Sequence, residues 1–221
     1  MLARIVALVA PPACLACEAP SHPGASLCAA CRAGLSWIGP GRCPRCGLPQ
    51  PCAPCPARDA AFDAAWSAVA FDGAARALVH ALKFRAAIAA ADTMAAQIAA
   101  NAPRALLNGT LLAVPGDRGR RRRRGFDHAL TLASALAART GLPLARGLLR
   151  APPLPRQLGA GRAERLRRGA VALEVTGVVP ERVVLVDDVH TTGATLDAAA
   201  RALSSGGALR VVALTYARTL R

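Results

Sequence analysis

Apolar positions along the chain fall into short runs with two alternating periods. AWSAVAF (65–71), TLLAV (110–114), ERVVLVDDV (181–189) and LRVVALTYA (209–217) carry near-continuous apolar stretches of strand length. That pattern belongs to strands covered on both faces. Between them, GAARALVHALKF (73–84), the Ala-rich stretch 86–100, GFDHALTLASALAART (125–140) and TLDAAARALSSGG (195–207) read as helices. Two of these end on helix-stopping residues, Gly141 with Pro143, and Gly206 with Gly207. Alternating strands and helices predict an α/β fold built on a doubly wound parallel sheet.

The first 58 residues show no such period. They are rich in Pro and Gly and hold all eight cysteines, between positions 14 and 55, while the remainder holds none. The shift predicts two parts: a small Cys-rich module over 1–58 and the α/β domain over 59–221.

The cysteines form four Cys-x-x-Cys units: Cys14 with Cys17, Cys28 with Cys31, Cys43 with Cys46, and Cys52 with Cys55. A two-residue spacer lets both sulfurs of a tight turn face one metal, and two such turns complete a tetrahedral four-sulfur zinc site. Four turns make two sites, paired in chain order in preference to crossed pairing. Disulfides, redox thiols or buried free cysteines are the other uses of such residues. Eight sulfurs satisfy two zinc ions, which leaves His22 a loop histidine. No ligand position stays open for water, so both ions are expected to be structural, replacing the core this segment lacks.

The chain of 221 residues carries 28 basic and 13 acidic side chains, a net charge of +15. A surplus of this size points to polyanionic partners such as nucleic acid or phosphorylated small molecules. All the basic residues except Lys83 are Arg, so a coding bias toward Arg, Ala and Gly accounts for part of it. IVALVA (5–10) is stopped by two prolines before it reaches the length of a signal-peptide core, and no 18 uncharged apolar residues run together. A cytoplasmic protein with reduced or metal-bound thiols and no membrane insertion is expected.

The most informative stretch is VVLVDDVHTTGATL (183–196). Ligands of open parallel sheets bind beyond the carboxyl ends of the strands, where Asp187 and Asp188 sit. The following loop supplies hydroxyls, a glycine and backbone N–H groups at the start of a helix, a cradle for phosphate. Carboxylates that accept from sugar hydroxyls and a loop that holds phosphate together describe a ribose 5-phosphate. A phosphorelay receiver also follows a strand with acidic residues, but only 33 residues remain after Asp188, too few for the rest of that fold. A plain helix cap needs one Thr, not two Asp, three Thr and a Gly in this order.

VVLVDDVHTTGAT resembles the phosphoribosyl pyrophosphate (PRPP) motif of type I phosphoribosyltransferases. The chain as a whole resembles the ComF family of competence proteins, through Pro-Pro before Cys14, the cysteine pairs, LKF (82–84), AVP and RRGF (113–115 and 123–126), Gln157 with Arg165, the aspartate motif and a terminal strand ending in Ala-Arg. It departs from the family at Asp127 and His128, where Asn-Gln is usual. The resemblance implies a double zinc ribbon before a phosphoribosyltransferase-like sheet domain, and a role in DNA uptake with single-stranded DNA and uptake proteins as partners. It also implies that Asp187 and Asp188 are the catalytic-site pair on the ribose hydroxyls. Thr191, Thr192, Gly193, Ala194 and Thr195 would bind the 5-phosphate, with Mg²⁺ carried in on PRPP. The alternative is an active phosphoribosyltransferase acting on an unidentified acceptor outside DNA uptake.

Arg118, Arg120, Arg121, Arg122, Arg123 and Arg124 put six guanidiniums into seven residues, read as a loop between a strand and a helix. Such a run is a solvated charged face, a clamp for pyrophosphate, or a grip on DNA phosphates extended by Arg162, Arg165, Arg167 and Arg168. Seven aromatic residues supply few stacking platforms, so nucleic-acid binding is expected to be backbone-led and salt-sensitive. Phe126 is the best placed to stack, but a core role at the start of the following helix is the preferred reading for it.

Overall fold

A computed structural model describes residues 12–150 and 173–220. Strands β1 (Ala64–Ala70), β2 (Thr110–Ala113), β3 (Leu144–Ala145), β6 (Arg182–His190) and β7 (Arg210–Arg218) form one sheet in the order β1-β7-β6-β2-β3, every neighbouring pair parallel. Strands β4 (Leu148–Arg150) and β5 (Leu173–Val175) form a separate antiparallel pair. The helices are α1 (Ala29–Ala33), α2 (Gly73–Arg85), α3 (Ile88–Asn101), α4 (Arg118–Arg124), α5 (His128–Thr140) and α6 (Ala194–Ser205).

Strand residues alternate between two cores. Val184 and Val186 of β6, Val212, Leu214 and Tyr216 of β7, and Leu111 of β2 pack against α2, α3 and α5. Val183 and Leu185, Val211 and Ala213, and Leu112 face the other way, toward Leu196, Ala199, Ala200 and Leu203 of α6. Continuous apolar strands are thus explained by apolar cover on both sides, as the sequence predicts. Ser67 and Thr215, register partners on β1 and β7, join their buried hydroxyls at 2.6 Å, so two polar groups inside the sheet satisfy each other.

The Cys-rich segment wraps the β1 edge and shares both cores. Cys14, Leu27 and Leu35 join the first core; Cys43, Cys46, Ala57 and Phe62 join the second. Between the two cysteine groups the chain bridges β1: Ile38 N–H donates to Ala68 O at 3.0 Å, and Ala70 N–H donates to Ser36 O at 2.8 Å. The exposed edge that β1 would otherwise offer is closed.

Two local readings change. The arginine run forms α4, not a loop: Arg is a strong helix former, and Gly119 is the only residue of the run that opposes helix. The following helix begins at His128, not 125, because Gly125 takes φ +76° and Asp127 caps the new start, its side chain accepting from Leu130 N at 3.3 Å. The structure also contains a repeat beyond the paired cysteines. Cys14 N–H donates to Ala19 O and Cys43 N–H to Leu48 O; Glu18 N–H donates to Cys14 O and Gly47 N–H to Cys43 O. Residues 12–21 and 41–50 are therefore one turn used twice, with left-handed Glu18 (φ +63°) standing where Gly47 (φ +73°) stands in the second copy.

Candidate functional site

The eight sulfurs gather into two sets in chain order, Cys14, Cys17, Cys28 and Cys31, and Cys43, Cys46, Cys52 and Cys55, each set lying within 4.8 Å. Cys17 Sγ is 3.7 Å from Cys28 Sγ, and Cys43 Sγ is 3.9 Å from Cys55 Sγ. Four sulfurs at 2.3 Å from a central zinc in a tetrahedron lie about 3.8 Å apart. These separations are far beyond a disulfide bond and fit that ion. Burial raises the pKa of the Cys14 and Cys43 thiols, but hydrogen bonds, first from the Cys28 backbone to Cys14 and from the Cys46 backbone to Cys43, outweigh it, leaving them at about 6 and about 7. Hydrogen bonding to Cys17 pushes the Cys31 thiol up to about 12, and burial pushes Cys46 up to about 12. Each set thus pairs one thiolate-prone sulfur with a thiol that metal binding would have to deprotonate.

The second site lies at the C-terminal end of β6. From β2 the chain runs through α5 to β3 on one side; from β6 it runs through α6 to β7 on the other. The adjacent strands β2 and β6 are therefore a topological switch point, where the connections diverge and leave a crevice. A cleft of about 410 Å³ opens there, lined on one wall by Pro115, Gly116, Asp117 and Arg124 and on the other by Asp187, Asp188, Thr191 and Thr195, with Lys83 and His128 between.

Strand alternation gives the two aspartates different surroundings. Asp188 shares its parity with Val184 and Val186, so it turns toward α2 and α5; it is 2% exposed, its Oδ2 lies 2.8 Å from Lys83 Nζ and 3.4 Å from His128 Nε2. Asp187 turns the other way and accepts the Asp188 backbone N–H at 2.8 Å. Burial, and then the neighbouring Asp188 charge, push the Asp187 carboxyl well above the usual carboxylate range. Burial likewise holds His128 below the ordinary histidine value against the pull of Asp188.

The loop after β6 divides its residues. Thr191 and Thr195 face the cleft, whereas Thr192, Gly193 and Ala194 line a separate cavity of about 240 Å³ against Pro56–Phe62. Gly193 has φ +84°, and a Cβ there would stand 2.7 Å from His190 Nε2, so both conformation and space demand glycine. Arg218, 3% exposed, donates from Nη1 to His190 O at 2.8 Å and to Thr191 O, holding the loop at its first turn.

Of the arginine run, Arg124 enters the cleft, Arg123 lines a neighbouring groove and Arg122 is exposed. The side chains of Arg118, Arg120 and Arg121 lie outside those described, as do Gln157, Arg162, Arg165, Arg167 and Arg168 entirely. The groove, about 690 Å³, shares Lys83 and Arg124 with the cleft and adds Phe84, Arg85 and Phe126. Phe84 is 68% exposed and carries the Arg124 guanidinium 5.0 Å from its ring.

Reading the sequence for chemistry missed Lys83 as the partner of Asp188, His128 beside it, Phe84 and Arg218. Being the only lysine in a chain otherwise using Arg singles out Lys83, since an ammonium is a compact point charge that fits one buried carboxylate. Nothing local in the sequence singles out Arg218.

Fold and site together define an α/β protein with a strand-end ligand cleft and two four-cysteine zinc centres. Residues 5–62 match the double zinc ribbon domain. A solved structure described as the allosteric regulatory enzyme of purine biosynthesis is similar at 22% identity and a TM-score of 0.37, over 57% of this chain; the chain spans about a quarter (24%) of that enzyme. No curated protein matches by sequence. Among the described residues no helix is long and apolar enough to cross a membrane.

Proposed function

We propose that the protein is a ComF-like component of DNA uptake whose strand-end cleft binds PRPP and whose basic surface binds single-stranded DNA. The observation that carries the ribose part is the cleft at the switch point, where Asp187, Asp188, Thr191 and Thr195 converge. Asp187 takes ribose hydroxyls, the 191–195 loop takes the 5-phosphate, and Arg124, on the opposite wall, takes the pyrophosphate. Asp188 is neutralised by Lys83, so magnesium arriving on the pyrophosphate meets the oxygen ligands of Asp187, a donor set that suits it.

The groove carries the DNA part. Exposed Phe84 beside Phe126 offers ring faces to bases, and Arg85, Arg123 and Arg124 offer charge to phosphates.

Calorimetry with PRPP and Mg²⁺, ribose 5-phosphate and its 2-deoxy analogue tests the first part. Ribose 5-phosphate should bind more tightly than the deoxy sugar, and Asp187→Asn should narrow the gap; equal binding of the two sugars would remove ribose from the site. Release of pyrophosphate from PRPP, assayed in the same samples, separates an active transferase from a binding protein. For DNA, affinity for a single strand should fall with salt by about 0.7 logarithmic units for each phosphate neutralised. An unchanged slope in an Arg122→Gln, Arg123→Gln, Arg124→Gln variant would return the run to a solvated face.

A further inference from the structure

Arg218 is a buried cation whose hydrogen bonds go to main-chain oxygens: Nη1 serves His190 O and Thr191 O, and Nε is buried without a partner. Burying a guanidinium is costly unless an anion stands near it. Burial works against its charge, and Arg218 lines one cavity with Leu48 and Pro56, which flank cysteines of the second zinc centre. Four thiolates around one Zn²⁺ carry a net charge of −2, and Cys46 itself is fully buried on this side of the sheet.

The same ribbon touches the loop at other points. Leu48 and Pro56 share a cavity of about 250 Å³ with Thr191, Thr192, Arg218 and Thr219. Ala61 N–H donates to Asp197 Oδ1 at 2.7 Å in the first turn of α6, and Arg201 Nη2 donates to Asp59 O at 2.9 Å. Phe62 meets the His190 ring edge-on, with centroids 6.1 Å apart. The first ribbon's contacts run elsewhere: Ser26 Oγ donates to Ala89 O at 2.9 Å, and Glu18 lies 3.9 Å from Arg85, both on the α2–α3 side.

We infer that the Cys43, Cys46, Cys52, Cys55 centre, when it holds zinc, positions the 191–195 loop through Arg218, so that loss of metal there weakens phosphate binding while loss from the first centre does not. The inference rests on the reading of that loop as the 5-phosphate cradle. Arg218 is a positioning residue, because its guanidinium is spent on the main-chain oxygens of His190 and Thr191.

The test uses the full chain, with zinc counted by elemental analysis, ribose 5-phosphate affinity by calorimetry, and hydrogen exchange of amides 190–196 without ligand. Cys52→Ser with Cys55→Ser should lose one zinc, weaken ribose 5-phosphate by about tenfold or more, the scale of one hydrogen bond from a charged donor, and speed exchange in the loop. Cys17→Ser with Cys28→Ser should lose one zinc and leave both readings unchanged. Arg218→Gln should keep both zincs yet copy the second-centre variant, and Arg218→Lys should restore part of the effect. If the Cys52, Cys55 variant fails to fold, Arg218→Gln decides alone. Equal effects of the two ribbon variants, or unchanged loop exchange in Arg218→Gln, would overturn the inference. If the native protein ignores ribose 5-phosphate, the ligand reading fails, and loop exchange still judges the coupling.

Discussion

The two faces of the sheet are built from similar parts and contribute different things to the cleft. Each carries a zinc ribbon with the same ten-residue turn, and each covers alternate residues of the same strands. The first face, with α2, α3 and α5, brings the charged half of the site: Lys83 and His128 on Asp188. The second, with α6 and the second ribbon, brings the loop and the groups that hold it: Arg218, Phe62, and the main chain of Asp59 and Ala61. A duplicated motif therefore does not imply a duplicated role. What a ribbon does depends on which side of β1 it lies.

The largest expected effect separates the ribbons by their metal. Protein purified without added metal should hold two zincs per chain, and Cys17→Ser and Cys46→Ser should each hold one. Structural zinc is worth about 10 to 16 kcal/mol of folding free energy in isolated fingers. Cys17 is exposed, whereas Cys46 is fully buried in the second core. Thermal unfolding should therefore be lowered much further by Cys46→Ser; equal losses would mean that both ribbons contribute alike to the cores.

Next comes the ion pair that the first face supplies. Lys83→Met leaves the Asp188 carboxylate buried without its cation, a change that costs about 3 to 5 kcal/mol. Urea unfolding should show that loss, and adding Asp188→Asn should recover most of it. A double variant no better than the single one would show that Lys83 contributes by packing alone.

On the second face, His190 is 2% exposed, and burial, helped by the Arg218 charge, lowers its pKa from 6.5 to about 3. Between those values the unfolded chain binds a proton that the folded chain refuses. Stability from this group is present above pH 6.5 and is lost as pH falls toward 3, by at most about 1.4 kcal/mol per pH unit. Asp187 acts in the opposite sense: its raised pKa favours the folded state at low pH, and that contribution is lost as pH rises through the folded value. Comparing native protein with His190→Gln isolates the histidine, and the variant's stability should fall less steeply below pH 6.5. Parallel curves would place the acid sensitivity elsewhere.

The smallest effect distinguishes the two copies of the turn. Gly47 has φ +73°, and a Cβ there would stand 3.1 Å from Ala65 O, so Gly47→Ala should cost about 1 to 2 kcal/mol from conformation alone. Glu18 already bears that strain at φ +63°; Glu18→Gly relieves it but adds freedom to the unfolded chain, for a net gain of about 0.5 kcal/mol. Chemical denaturation that moves both variants in the same direction would mean that the turns are not equivalent.

Much of this protein is a property of its sequence alone. Continuous apolar strands, helices stopped by glycine, and four equal cysteine spacers follow from local sterics, periodicity and coordination chemistry, which act over a few residues. The aspartate pair and threonine loop were legible for the same reason: strand end, loop and helix start are consecutive in the chain. Lys83, His128, Phe84 and Arg218 were not, because Lys83 reaches Asp188 across 105 residues and Arg218 reaches the loop from the following strand. Strand order decided that α2 stands over Asp188, and the wrap of the ribbons around β1 decided that Leu48 and Pro56 of the second ribbon line one cavity with Arg218. Burial then converted those placements into energetics, since a charge needs its partner only where water has been removed, and only the packed structure removes it.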